Sequence, residues 1–210
     1  MSYFLSIIFL SCVWVIPGAA QDETRYVDLL IRFLRVGSGI TPTDLYARPL
    51  TTLPLRMSYR FGKKTLPSKP IRLLSSCSPE NDPCYYRAPA GTKVEIFSAS
   101  HYAIGFRWGI INNGLQEIHL KQRNKPSLLG AQAQDILKCN NLDCFDTVIK
   151  PAPNSTFTTE PCGSPPQNSD KAEQYDIYCS AQIPSQVDFE SRPLFELIVF
   201  YQTGAAPAGK

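Results

Sequence analysis

Segments in which apolar and polar residues alternate are the feature that most constrains how this chain can fold. A period of two places every second side chain on the same face of an extended strand, so alternation predicts strands with one buried face. In residues 53–61 the apolar side chains share one face, while Arg56, Ser58 and Arg60 share the other. Further strands are predicted at residues 71–75, 93–98, 102–111, 115–121, 147–150, 175–181 and 194–201.

The sequence between these segments favours antiparallel connections. Eighteen prolines and twelve glycines interrupt the chain, and strands separated by turn signals are typical of sandwiches and barrels rather than of βαβ folds. Residues 26–36 are ambiguous, because Asp28 and Arg32 lie four residues apart on one arc of a helical wheel, which favours a helix over a doubly covered strand. We predict a mainly β protein, an antiparallel β-sandwich with long disulfide-tied loops, with one N-terminal helix left open.

The N-terminus has the pattern of a secretory signal peptide. Residues 3–16 form an uncharged apolar run of 14 residues, followed by a proline, small residues and then charged residues. The run is shorter than the roughly 20 residues that a membrane-spanning helix needs. We predict a signal peptide at residues 1–20, cleaved after Ala20, and an extracellular mature chain without a membrane span. An uncleaved signal anchor is the alternative, because no Lys or Arg precedes the apolar run.

The remaining length and charge indicate one domain without a nucleic-acid partner. Residues 21–203 suit a single β-rich domain, and residues 204–210 are predicted to be a flexible tail. The net charge of +3 is spread over 21 basic and 18 acidic side chains. This balance is too mild and too well mixed to indicate nucleic-acid binding.

The cysteines predict a disulfide-linked protein. Cys12 lies in the signal segment, which leaves six cysteines in the mature chain, and an even number fits an oxidising compartment. Short loops close most easily. The predicted pairs are therefore Cys77–Cys84, Cys139–Cys144 and Cys162–Cys179. No pair has the C-x₂-C spacing of a zinc site and no histidine lies near a pair, so we predict neither a metal site nor a cofactor.

Residues 151–174 are rich in Pro, Ser, Thr and Asn, which predicts a long surface loop. This segment contains the glycosylation sequon Asn154-Ser155-Thr156. In a secreted protein an exposed sequon is accessible to the glycosylation machinery, so we predict a glycan on Asn154.

A hairpin is predicted around the turn sequence at residues 112–114, because Gly114 can supply the left-handed position of a three-residue loop. This register places Trp108 opposite Ile118 on an apolar face. It places on the other face Arg107, Glu117, His119 and Lys121. With His101, these side chains would suit acid–base cleavage of a phosphodiester; a solvated face with cross-strand charge pairs is the alternative.

Catalytic motifs are otherwise missing from the sequence, and we therefore expect a protein that is not an enzyme. Tyr85, Tyr86 and Arg87 follow a cysteine in a disulfide-bounded turn and are of the types enriched at interface hot spots. The leading hypothesis is a secreted binding module for another extracellular protein. Its candidate partner-binding residues are Tyr85, Tyr86, Arg87, Arg107 and His119. Two alternatives are a carrier of a lipid or other apolar ligand between the sheets and a nuclease that uses His101 and His119.

Overall fold

The computed structural model describes residues 25–37, 42–52, 55, 76–100, 103–111, 142, 155–190 and 193–202. These residues form eight β-strands and one short 3₁₀ turn, Pro79–Asn81. In chain order the strands are β1 (Tyr26–Arg35), β2 (Leu45–Leu50), β3 (Cys84–Pro89), β4 (Lys93–Ser98), β5 (Ala103–Ile111), β6 (Ser155–Pro161), β7 (Ile177–Gln182) and β8 (Leu194–Gln202).

The strands form two sheets packed together, which confirms the predicted mainly β architecture. One sheet has five strands in the order β3-β1-β8-β5-β6, and the other has three in the order β2-β4-β7. All pairs are antiparallel except β1 and β8, which run parallel with Asp28 opposite Leu194. The first and last described strands are therefore neighbours in the middle of the larger sheet.

Strand β1 shows that the helical alternative for residues 26–36 is wrong. Its side chains are buried on both faces of the sheet. Leu29 and Ile31 are buried on one face, and Leu30 is buried on the other. A strand covered on both faces is apolar almost throughout and loses the period of two. On the outer face, Asp28 Oδ1 lies 3.6 Å from Arg87 Nε of the neighbouring strand.

The main core lies between the two sheets and a second cluster lies on the outer face of the five-stranded sheet. Strand β8 contributes to both, since Phe195, Leu197 and Val199 point into the core and Ile198 and Phe200 point outward. Full burial of each such side chain contributes about 1.5–3 kcal/mol to the stability of the fold.

Two disulfides join the edges of the sheets, and both were predicted. Cys77 pairs with the edge of β2 through Ala47 and is bonded to Cys84, the first residue of β3. Cys162 follows β6 and is bonded to Cys179 in β7. Each bond links an edge strand of one sheet to an edge of the other. The predicted pair Cys139–Cys144 lies outside the described residues.

Several predicted strands are confirmed and one predicted loop needs correction. Strands β4, β5, β7 and β8 match the predictions for residues 93–98, 102–111, 175–181 and 194–201. Within the predicted surface loop 151–174, residues Ser155–Pro161 form β6, and turns begin only after it. Strands β2 and β3 were not predicted. The segments 71–75, 115–121 and 147–150, and all but residue 55 of 53–61, lie outside the described residues. The predicted hairpin register at Trp108 is wrong, because this residue pairs with Thr158 of β6 on one side and with Leu197 of β8 on the other, which leaves neither edge of β5 free there.

Two glycines of β5 make room for its neighbours, Gly109 for the backbone of β6 and Gly105 for a side chain of β8. A Cβ atom on Gly109 would collide with the backbone oxygen of Thr156, and one on Gly105 would lie 2.5 Å from the ring of Phe200. The backbones of β5 and β6 can approach at Gly109 only because this position lacks a side chain. Across the ranges that the structure describes, no helix is long and apolar enough to cross a membrane.

Candidate protein-binding surface

The predicted cluster at residues 85–87 is divided between two faces of the sheet, because successive residues of a strand point in opposite directions. Tyr86 points into the core and is 3% exposed, so the prediction that it lies on the surface is wrong. Burial raises the pKa of its hydroxyl to about 12. Tyr85 and Arg87 are half-buried on the outer face, where Arg87 approaches Asp28.

Arg107 faces away from Phe106 as predicted, but it is 1% exposed and cannot serve as a surface contact. Its Nε donates a hydrogen bond of 3.1 Å to Thr159 Oγ1, and its guanidinium lies 4.1 Å from the ring centroid of Phe157. The solvated face predicted for Arg107 is therefore a buried one. His101, His119 and Asn154 lie outside the described residues.

The outer face of the three-stranded sheet carries a set of aromatic and charged side chains that the sequence predictions missed. Alternation along the strands turns Leu45, Ala47, Val94 and Ile96 into the core and their neighbours outward. We call this surface the β2-β4-β7 face. It consists of Tyr46, Arg48, Leu50, Lys93, Glu95, Phe97, Tyr178, Ser180 and Gln182.

Glu95 lies at the centre of this face and is 2% exposed. Arg48 Nη2 donates to one carboxylate oxygen over 2.9 Å, and the Tyr178 hydroxyl donates to the other over 2.7 Å. Lys93 Nζ in turn donates to the Tyr178 hydroxyl oxygen over 3.3 Å. The four side chains form one hydrogen-bonded chain across three strands.

This network shifts the titration of its two acidic groups in opposite directions. Burial alone would raise the pKa of the Glu95 carboxyl, but hydrogen bonds from Tyr178 and Arg48 and the charges of Lys171 and Arg48 outweigh burial and lower it. Burial raises the pKa of the Tyr178 hydroxyl, and the hydrogen bond to Glu95 and the charge of that carboxylate raise it further. At neutral pH Glu95 is ionised and Tyr178 is protonated.

Aromatic rings surround the ion pair. The ring centroid of Phe97 lies 5.7 Å from that of Tyr46 and 4.5 Å from that of Tyr175. The Arg48 guanidinium lies 5.2 Å from the Phe97 ring centroid. Arg48 is thus held by a carboxylate and a ring at once, which restricts its rotamers.

A cleft of about 560 Å³ opens at the end of the β2-β4-β7 face. Leu50, a large apolar residue that is 38% exposed, forms one wall, and the turn between β3 and β4 forms another. Gly91 in that turn has a φ of 82°, a left-handed conformation that favours glycine. The described residues that line the cleft are Leu50, Thr51, Thr52, Pro89, Ala90, Gly91 and Thr92.

The sequence held part of the signal for this surface. Residues 93–98 were predicted to be a strand, and their alternation places Lys93, Glu95 and Phe97 on one face. Strand β2 also alternates, but it is six residues long and contains an alanine and a proline, which weakens the pattern. The contact of Glu95 with Tyr178, 83 residues further along, depends on the order of strands in the sheet.

Among the described side chains, no group of three or more His, Cys, Asp or Glu residues could hold a metal ion. The fold and this surface together define a class, a disulfide-linked protein of two packed β-sheets with an aromatic and charged sheet face. No protein-family model, curated protein or solved structure matches the chain.

Proposed function

We propose that the chain is a secreted, non-enzymatic module that binds another extracellular protein through the β2-β4-β7 face. The observation that supports this most directly is the buried Glu95 carboxylate, which holds Arg48 and Tyr178 in one arrangement. Tyr and Arg are the types that dominate interface hot spots, and side chains ordered in advance lose less entropy on binding.

The depth of the face also suits a binding surface. Glu95 and Phe97 form a buried floor, while Arg48 is 31% exposed and Lys93 is exposed at the rim. A partner would therefore bury rings and cations that are already packed on a rigid sheet. Both carboxylate oxygens of Glu95 are hydrogen-bonded within the face, so its role in this proposal is to position the other side chains.

The two other hypotheses gain no support from the described residues. A carrier would hold its ligand in the space between the sheets. In this protein the side chains of the main core occupy that space. The nuclease hypothesis depends on His101 and His119, which the structure does not describe, and it stays a prediction.

Secretion is part of the proposal and is supported by the apolar leading segment and by the two disulfides between the sheets. The mass of the protein recovered from the medium of eukaryotic cells, measured without reduction, tests it. A chain that begins at Gln21 is expected. Retention of residues 1–20 in a membrane fraction would support the anchor instead.

Binding is tested with the labelled mature protein on intact cells of several types, whose surface has or has not been treated with protease. We expect saturable binding that protease abolishes. Affinity should fall about tenfold for Tyr46→Ser, within the face, and for Tyr175→Ser, whose ring packs on Phe97 of the face. The matched control is Tyr26→Ser, on the other sheet. Binding that survives protease, or that falls equally in all three variants, would reject a protein partner at this face.

A further inference from the structure

Leu50 and Lys93 are adjacent on the β2-β4-β7 face although they belong to different strands. They are register partners in the antiparallel pair of β2 and β4, and both side chains point outward. Cβ atoms of such partners lie about 4.5–5.5 Å apart. The side chains of Leu50, which lines the cleft, and of Lys93 therefore leave the sheet from neighbouring positions.

The charge of Lys93 is not neutralised within the face. Its Nζ contacts the Tyr178 hydroxyl oxygen and lies 5.7 Å from the centroid of that ring. Tyr178 is uncharged, and the nearest acid of the network, Glu95, is already bonded to Arg48. Among the described residues, ion pairs join Arg48 to Glu95 and Arg87 to Asp28, and none involves Lys93.

The cleft beside Leu50 offers an apolar wall and one polar group. Pro89 and Ala90 line it together with Leu50. Thr92, also in the wall, is 4% exposed, and its hydroxyl has no hydrogen-bond partner in the part of the chain that the structure describes. This hydroxyl is itself buried, so the part of the cleft that an occupant contacts is its apolar wall.

We infer that the partner inserts an apolar side chain into this cleft against Leu50 and places an Asp or Glu carboxylate on Lys93. This inference rests on the proposed function and specifies the chemistry of the partner at one end of the same face. Because an extended chain advances about 3.3 Å per residue, the acidic and apolar residues of the partner lie within about two positions of each other. The occupant is thus a short acidic and apolar segment of a protein.

A phage library of short random peptides, selected on the biotinylated mature protein, tests the inference even while the partner is unidentified. Selected peptides are expected to carry Asp or Glu within two positions of Leu, Ile, Met or Phe. Peptides that bind the β2-β4-β7 face without an acidic residue would overturn the inference, and so would a selection that yields no binder.

Affinities of one selected peptide then identify its contacts. We expect Lys93→Met to weaken binding about threefold and Leu50→Ser about tenfold, with Thr158→Ala on β6 as the unchanged control. A second test needs no protein variant. Replacing the peptide's Asp or Glu by its amide should weaken binding to the unaltered protein to the same extent as Lys93→Met does. An unchanged affinity for the amide peptide would reject the contact with Lys93.

The cell experiment separates this inference from the proposed function. If binding to cells is lost with Tyr46→Ser but is unchanged in Lys93→Met and Leu50→Ser, the face is a binding surface and the inference is wrong. If the unaltered protein binds no protease-sensitive site on any cell, the proposed function is wrong, and the peptide selection still decides the chemistry of the cleft.

Discussion

Replacing Glu95 by Gln is expected to destabilise the protein at neutral pH by removing one charge from the floor of the β2-β4-β7 face. Glu95 is 2% exposed and accepts bonds of 2.9 Å from Arg48 and 2.7 Å from Tyr178. A glutamine amide has one accepting end and one donating end, so it can satisfy only one of these two donors. If the amide oxygen accepts the hydrogen bond from the Tyr178 hydroxyl, the Arg48 guanidinium loses its acceptor.

The size of the loss follows from the exposure of the two partners. A hydrogen bond to a charged group contributes about 1.5–3 kcal/mol when it is buried, and an exposed ion pair about 0–1 kcal/mol. The Arg48 side chain is 31% exposed and that of Glu95 3%, which places the pair between these limits. We expect a loss of about 1–2 kcal/mol in the free energy of unfolding, or roughly 2–8 °C in Tm for a domain of this size.

The pH dependence distinguishes a lost charge from a change of shape. The pKa of Glu95 is lower in the folded protein than in the unfolded chain, so its ionisation stabilises the fold at neutral pH. That contribution is lost as pH falls from the ordinary value of 4.5 through the lower pKa of the folded state. The difference between the unaltered protein and Glu95→Gln should therefore shrink in acid.

Urea unfolding followed by tryptophan fluorescence measures this difference, because Trp108 packs in the core 5.5 Å from Phe195 between ring centroids. Glu160→Gln on the exposed side of β6 is the matched control and should change stability little. Equal destabilisation of Glu95→Gln at neutral and at acidic pH would show that the carboxylate charge contributes nothing, and would refute the assignment of the network.

Three further results are expected. Gly109→Ala should lower stability by about 1–3 kcal/mol in urea titration, because the new Cβ collides with the backbone of Thr156; unchanged stability would contradict the pairing of β5 with β6. Removing Cys162 and Cys179 together by alanine should cost about 2–4 kcal/mol, measured as the urea midpoint of the secreted protein, and an unaffected midpoint would count against that disulfide. The pKa of the Tyr86 hydroxyl is raised from its ordinary value of 10.0 to about 12 in the folded protein. Its contribution to the free energy of unfolding is therefore fully present below pH 10 and is lost as pH rises through about 12. Tyr86→Phe should remove this part of the alkaline stability loss, and identical pH profiles would show that the hydroxyl is not buried.

The outer face of the five-stranded sheet shows where reasoning from the sequence reached its limit. Arg107 was placed on the correct side of β5, because alternation decides the side from neighbouring residues alone. Whether that side meets water depends on what covers it, and there Leu30 and Ile198 are as buried as Arg107. A charged residue in an alternating pattern therefore indicates a face and says little about its exposure.

The candidate surface was missed for a related reason. Residues 85–87 contain the right residue types for an interface, but a strand divides them, and Tyr86 lies in the core. The surface that does combine Tyr, Arg and Lys draws them from β2, β4 and β7. Arg48 and Glu95 are 47 residues apart, and no local pattern relates them.

The sequence by itself determined the features that depend on residues close together in the chain. The period of two located β4, β5, β7 and β8, and short loops selected the pairs Cys77–Cys84 and Cys162–Cys179. Tertiary structure alone decided that β1 is a strand covered on both faces and parallel to β8, and that β2 and β7 flank β4. The physical reason is that burial and pairing depend on which distant segments fill the same space, whereas alternation and loop closure depend on residues within a few positions of each other.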